Sequence, residues 1–449
     1  MSELPRSTPA EQGVDRRGID DFVAALAPMP GVELHSLMVL RHGQVVAERW
    51  WRPYRAESPQ LLYSLSKSFA STALGFAVAE GRVDLDAPVL SYFPEFDGRV
   101  TDPWSRSMRV RDVASMASGH HDDMREEAVR AGDGDMVLGL LRLPPAFEPG
   151  SFFAYNQPCT NTVAAIVRRA GGGSLVEFLR PRLFEPLGIR PYGWLTDRVG
   201  REQGYSGLHV TTSAIAKLGQ LYLDRGRWQG SRLLPAAWVD EATRSHVATN
   251  RADPDWDQGY GFQFWRSRHG YRGDGAYGQY MVVLPEADAV VAITSQSLDM
   301  PGVLDRMWEH LLPALTAGGG PAGPWPSESP ALAVPAGDAG ALPSATFRER
   351  GGDGTGWLRA VRLTPYEIGL TSDGPEVTAR LGPSGGWTVS GPIATAHAWR
   401  GQLLLVDVVF VETPHRLRLG LDMATSAFAA EWVAEPLGRI RLSEMRMPR

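Results

Sequence analysis

Leu61-Leu62-Tyr63-Ser64-Leu65-Ser66-Lys67-Ser68-Phe69 runs without a break into the apolar stretch from Ala70 to Glu80. Ser64 and Lys67 are three residues apart, so a helix beginning here puts their side chains on one face, one turn apart. A serine hydroxyl is a poor nucleophile until a neighbour takes its proton, and a lysine desolvated at a helix start has the lowered pKa that such a base needs. The unpaired N–H groups and positive dipole end of a helix N-terminus favour negative charge on an attacking or departing oxygen. Taken alone, Ser-x-x-Lys equally describes a capping serine beside a solvated lysine, so the rest of the chain has to decide.

The chain has 449 residues, which points to one large domain and a smaller one. Charges of both signs are interspersed, and the net charge of -6 offers nothing to a polyanion. The expected partner is a small-molecule or peptide substrate, with no nucleic acid and no membrane; the oligomeric state is left open. Met1 to Arg17 is polar and charged, and no stretch has the 18 apolar residues of a membrane span, so a cytoplasmic protein is expected. Cys159 is the only cysteine, which excludes an internal disulfide and leaves it a buried small residue. The adjacent His120, His121, Asp122 and Asp123 point in different directions and read as a solvated loop. No metal and no cofactor are expected.

In chain order, Leu37 to Leu40 and Val45 to Glu48 read as a β-hairpin turning at Gly43. The Ser64 helix should stop near Gly81. A short helix covers Met108 to Met116, and the polar, then Pro-rich Met124 to Gly150 reads as a flap. Phe152-Phe153-Ala154-Tyr155-Asn156-Gln157 enters a helix over Thr160 to Arg169. Leu175 to Phe184, Thr212 to Asp224 and Pro235 to Thr243 are further helices. Tyr260 to Arg266, Gly275 to Leu284 and Ala289 to Ser295 read as successive strands, with Gly273-Asp274-Gly275-Ala276 heading the second, before a closing helix over Asp305 to Leu315. Thr316 to Ala345, rich in Gly, Pro and Ala, reads as a linker. Beyond it, Trp357 to Leu363, Glu367 to Leu370, Val377 to Leu381, Trp387 to Ser390, Leu403 to Val411, Leu417 to Leu421 and Phe428 to Val433 alternate as short strands of a small barrel or sandwich. Such a barrel either packs on the first domain and shapes a cleft or holds an apolar ligand of its own; the first is the simpler expectation. Trp50, Trp51, Trp256 and Trp265 serve equally as cleft lining or core.

Ser64-Leu65-Ser66-Lys67, Tyr155-Asn156-Gln157 and Gly273-Asp274-Gly275, in this order, together resemble the serine β-lactamase and penicillin-binding-protein superfamily, in its class C and esterase-like branch. Ala117-Ser118-Gly119-His120 and Phe184-Glu185-Pro186-Leu187-Gly188-Ile189 are similar in wording and place, and the resemblance covers roughly Ala10 to Leu315. It implies an α+β fold: a β-lactamase-like domain over 1–315, with an antiparallel sheet flanked by helices plus a helical subdomain. The linker over 316–345 and a lipocalin-like antiparallel barrel over 346–449 complete the expected organisation. It also implies Ser64 as the acylated nucleophile, Lys67 and Tyr155 sharing the general-base work, and the backbone N–H groups of Ser64 and Ala276 as the oxyanion hole. Asn156, Gln157, Gly273, Asp274 and Gly275 would contact substrate.

Two positions depart from the pattern. Gln157 stands where Asn or Ser is usual, and Gly273 where Lys or His is usual, so the cation that holds a β-lactam carboxylate is absent unless Arg272 replaces it. These losses argue against an efficient β-lactamase and leave acyl transfer intact. The branch includes esterases, amidases, D-amino-acid peptidases, nylon-oligomer hydrolases and thioesterases that cyclise and release nonribosomal peptides, some of the last carrying a lipocalin-like domain. The expected activity is a serine hydrolase or acyltransferase acting on an amide or ester through acyl-Ser64. The alternatives are a peptide-cyclising thioesterase and a non-catalytic binding module.

Overall fold

The computed structural model describes residues 3–318, 329–349, 357–438 and 441–448. Its first sheet has six antiparallel strands: β1 (Val32–Arg41), β2 (Gln44–Trp50), β3 (Trp265–Arg266), β4 (Tyr271–Gly275), β5 (Gln279–Leu284) and β6 (Ala289–Ser297). They lie in the order β2-β1-β6-β5-β4-β3, so the N-terminal hairpin and the C-terminal strands of the domain meet at the β1/β6 pair. Side chains alternate across β1, Leu37 and Val39 entering one core and Met38 and Leu40 the other. Both faces are covered, which is why these strands read as continuous apolar runs. Helix α1 (Arg16–Leu26) and the helical segment Met300–Thr316 close one face.

The other face carries the larger core and helix α2 (Ser66–Ala79), on which helices α3 (Gln157–Gly171) and α4 (Thr212–Leu223) also gather. Every residue of α2 from Ser66 to Ala77 is buried, as expected of a helix that is apolar or small on all sides. The stretch expected to be a flap holds two short helices, Arg125–Ala131 and Met136–Arg142, and the second packs its Leu138 and Leu140 into the same core. Tyr260 to Phe264, expected as strand, is a twisted loop instead. Its carbonyls at Phe262 and Gln263 accept hydrogen bonds from Ser71 (2.6 Å) and Ser68 (3.0 Å) of α2, so they are unavailable to a sheet ladder. The strand Tyr271–Gly275 takes that place, and the Gly273-Asp274-Gly275 triplet closes it rather than heading the next.

The second sheet has nine strands: β7 (Ala345–Glu349), β8 (Ala360–Leu363), β9 (Glu367–Thr371), β10 (Val377–Arg380), β11 (Thr388–Ser390), β12 (Ile393–Arg400), β13 (Leu403–Phe410), β14 (Arg416–Asp422) and β15 (Ala427–Trp432). They run β10-β9-β8-β7-β15-β14-β13-β12-β11, and only β7 and β15 pair in parallel. Hydrogen bonds from Thr395 Oγ1 to the Arg380 carbonyl (2.5 Å) and from Arg380 N–H to Ser390 Oγ (3.1 Å) draw the two edges together into a nearly closed barrel. Strand β12 escaped the sequence reading because alanines fill its buried positions 394, 396 and 398, and alanine is a weak strand signal. The interior is filled by Phe347, Val361, Leu370, Val406, Leu419, Phe428 and their neighbours.

The barrel docks through the turn between β13 and β14. Leu61 N–H donates to the Glu412 carbonyl (2.9 Å), Gln60 Nε2 to Val411 (2.5 Å) and the Tyr54 hydroxyl to Thr413 (3.2 Å). Buried Arg416 bridges Asp407 on β13 to Glu33 on β1, the latter at 2.7 Å. Part of the expected linker is fastened too, since Ala331 bridges to Arg52 and Asp338 to Trp399; residues 319–328 lie outside the described residues.

Candidate active site

Ser64 sits in a single tight turn, Tyr63–Leu65, that runs directly into α2. The turn begins with Tyr63 at φ 49°, a left-handed conformation that a side-chain-bearing residue adopts only when its surroundings hold it there. Two bonds to the strand Leu208–Val210 supply part of that hold: Leu62 N–H to the Leu208 carbonyl (2.8 Å) and Leu208 N–H to Ser66 Oγ (3.0 Å). One turn on, Lys67 reaches back to place Nζ 2.9 Å from Ser64 Oγ and 2.8 Å from the Tyr205 carbonyl. Lys67 is 1% exposed. Burial lowers its pKa to about 7, with Asp123 and Asp274 partly opposing the shift.

Tyr155 presents its ring to Lys67 Nζ, 4.7 Å from the centroid. The ring stacks on Trp265 (5.4 Å, 14°) and meets Tyr260 edge-on. Burial, and after it the charge of Asp274, raises the phenol pKa far above its ordinary value, so the group is a neutral hydroxyl. The environments of the two candidates for base therefore separate them, with Lys67 readily neutral and Tyr155 firmly protonated.

Strand β4 runs beside this turn. A Cβ on Gly275 would lie 2.0 Å from the Leu62 carbonyl oxygen and 3.1 Å from Leu65 N, so the strand's end, and Ala276 after it, abuts the turn bearing Ser64. A Cβ on Gly273 would lie 2.4 Å from Ser68 Oγ and 2.5 Å from Leu65 Cδ1, leaving no space there for the usual lysine or histidine. Arg272 does not replace that cation. It is fully buried, with Nε 3.0 Å from Asp274 and Nη1 bonded to the Asp255 carbonyl (2.8 Å) and to Ser267, its guanidinium lying over Trp256.

Asn156, at the start of α3, is fully buried: its Oδ1 accepts from Met124 N–H (3.0 Å) and its Nδ2 reaches Ser118 Oγ (3.4 Å). It braces the loop over residues 118–124 instead of facing the cleft. Gln157 donates its backbone N–H to Asp123 Oδ1 (3.0 Å) and keeps a buried Oε1 without a partner. The reading of residues 120–123 as one solvated loop is corrected here. His121 and Asp122 are exposed, but His120 is buried between Ser118 Oγ (3.0 Å) and the Leu143 carbonyl (3.0 Å), and Asp123 is half-buried within electrostatic reach of Lys67. Among the described residues no group of three or more His, Cys, Asp or Glu forms a metal-ligand cluster, and no helix is long and apolar enough to cross a membrane.

Ser64, the buried Lys67 amine and the protonated Tyr155 phenol meet on this scaffold, and the family model for Beta-lactamase matches residues 19–316. The chain belongs to the Beta-lactamase family. Within the Beta-lactamase family and its neighbours, it is similar to the 6-aminohexanoate-dimer hydrolase of Paenarthrobacter ureafaciens, 27% identical over 297 residues that cover 62% of this chain and 75% of the relative. Esterase EstB of Burkholderia gladioli is 29% identical over 181 residues, 37% of this chain and 46% of the esterase. The crystal structure of SurE with D-Leu shares the fold at a TM-score of 0.52 and 20% identity, covering 87% of this chain and 93% of SurE. The chain is thus a serine hydrolase of the Beta-lactamase family.

Sequence reasoning missed Asp123, Trp265 and the Tyr205 carbonyl. Asp123 was hidden in a polar run, and a backbone carbonyl has no signature in sequence; Trp265 was noticed only as one tryptophan among several. It also missed Gln263, fully inside, whose amide takes the Thr160 hydroxyl (2.6 Å) and donates to the Ala114 carbonyl (2.7 Å), fastening the 260–264 loop to two helices.

Proposed function

We propose that this protein hydrolyses or transfers the acyl group of an amide or ester through an acyl-Ser64 intermediate, with Lys67 as the base. The observation that carries this is the 2.9 Å approach of a buried Lys67 amine, its pKa near 7, to Ser64 Oγ. While Lys67 donates one N–H to the Tyr205 carbonyl, its lone pair accepts the Ser64 proton. Ser64 Oγ bonds to the carbonyl carbon, and the oxyanion that forms is met by the N–H groups of Ser64 and Ala276. As the C–N or C–O bond breaks, the Tyr155 hydroxyl donates a proton to the departing nitrogen or oxygen and is reprotonated from Lys67. Water then adds to the ester with Lys67 again as base, releasing the acid and Ser64. An amine in place of water resolves the same ester to an amide, which is the cyclising outcome.

The carboxyl of Asp123, half-buried within electrostatic reach of Lys67, favours a substrate that carries a cationic amine near the scissile carbonyl. That supports an amino-acid-derived amide, and the 6-aminohexanoate-dimer hydrolase is a relative named for a substrate of this kind. Intact-protein mass spectrometry after exposure to a fluorophosphonate tests the core of the reading. One adduct on the wild type and none on Ser64→Ala is the expected result; labelling of Ser64→Ala, or none on either, removes Ser64 from the role.

A further inference from the structure

The two residues that flank the oxyanion-hole donors are both gripped by the barrel. Tyr63 precedes Ser64, and Tyr277 follows Ala276; both hold a left-handed backbone, φ 49° and 65°. The Tyr63 hydroxyl lies 2.5 Å from His415 Nε2. His415 Nδ1 is 2.8 Å from the Ala434 carbonyl, which can only accept, so Nδ1 carries the proton and Nε2 accepts from Tyr63. The Tyr277 hydroxyl donates to the next carbonyl, that of Glu435. The three rings of Tyr63, Tyr277 and His415 meet edge to face, with centroids 5.3 to 5.8 Å apart, and Trp432 on β15 backs His415 at 6.1 Å. His415 is fully buried and absent from the acyl-transfer steps above.

We propose that His415 and the Ala434–Glu435 backbone are positioning elements of the acyl-transfer site: through Tyr63 and Tyr277 they set the N–H groups of Ser64 and Ala276, so the barrel completes the oxyanion hole. A strained backbone persists only where its surroundings over-determine it, and here the hydroxyls of the strained residues are anchored outside the domain that bears the nucleophile. Hydrogen-bond donors act on a developing oxyanion only when preorganised, and a displacement of about 1 Å is enough to cost about 100-fold in rate. This rests on the reading of Ser64 as the nucleophile.

The test uses the full chain and the variants Tyr63→Phe, His415→Leu, His415→Gln and the Tyr63→Phe/His415→Leu pair. Hydrolysis of a p-nitrophenyl ester, fluorophosphonate labelling and backbone hydrogen exchange over residues 62–66 and 275–279 are measured. Tyr63→Phe and His415→Leu should each lower kcat by about 10-fold or more with KM within about twofold, and the pair should be no worse than either alone. His415→Gln, which offers one donor and one acceptor, should recover most of the rate. Exchange of both segments should quicken in the impaired variants. Unchanged kcat in Tyr63→Phe, additive losses in the pair, or a His415→Gln no better than His415→Leu would each overturn the proposal. If His415→Leu does not fold, Tyr63→Phe alone decides. A wild type that neither labels nor turns over would sink the nucleophile assignment, whereas hydrogen exchange still reports on the clamp.

Discussion

The amine of Lys67, almost wholly withdrawn from solvent, lies 2.9 Å from the hydroxyl of the half-buried Ser64. Removal from solvent is what turns an ordinary lysine into a base at neutral pH. Its pKa near 7 means that acylation requires the deprotonated fraction, which grows as pH rises. The acylation rate should climb through about pH 7 and level off above it. Lys67→Arg, protonated throughout, should lose about 100- to 10,000-fold with no rising limb; stopped-flow acylation across pH 5 to 9 reads both.

Asp123 and Asp274 hold the Lys67 pKa up against burial, Asp123 having the larger effect. Removing a negative charge disfavours the ammonium. Asp123→Asn should therefore shift the rising limb to lower pH, and weaken amine-bearing substrates in KM while sparing neutral esters. A limb that stays in place or moves upward would contradict the electrostatic assignment.

Gly275 and Gly273 differ in what a methyl group would strike. At Gly275 it meets the Leu62 carbonyl oxygen, part of the backbone, whereas at Gly273 it meets the side chains of Ser68 and Leu65. Gly275→Ala should cost more stability than Gly273→Ala, the latter within the usual overpacking cost of about 1–3 kcal/mol. Gly275→Ala should also depress labelling of Ser64 by displacing the turn. Thermal unfolding and fluorophosphonate kinetics on the two variants order the effects.

Gln263→Leu leaves the Thr160 hydroxyl and the Ala114 carbonyl without the amide that joins them. Each buried group so orphaned costs about 1–3 kcal/mol. Denaturant unfolding should show a loss of about 2–6 kcal/mol for the two groups together, with the KM for ester substrate little altered.

Much of this architecture was readable in the chain. Ser64, Lys67 and Tyr155 converge as their motifs imply, and the hairpin around Gly43 and the buried helix after Ser64 follow from periodicity and turn chemistry. What escaped was decided by tertiary partners. Tyr260 to Phe264 has the composition of a strand, yet serines on α2 claim its carbonyls. Asn156 has the chemistry of a substrate contact, yet Ser118 and Met124 occupy it first. The link from Tyr63 to His415 spans 352 positions, a distance over which no local pattern carries information.

The parallel pairing of β7 with β15 has a bearing on the order of events in the living cell. On its second side, β7 pairs Arg348 and Glu349 with Ala427 and Phe428, near the far end of the chain. A chain made from its N-terminus emerges with the whole nucleophile-bearing domain while the strand that seals the barrel is still inside the ribosome. His415 takes its seat against Trp432 and Ala434, so on the proposal made for it the site is completed only at the end of synthesis, and a chain cut short before β15 should carry Ser64 without activity.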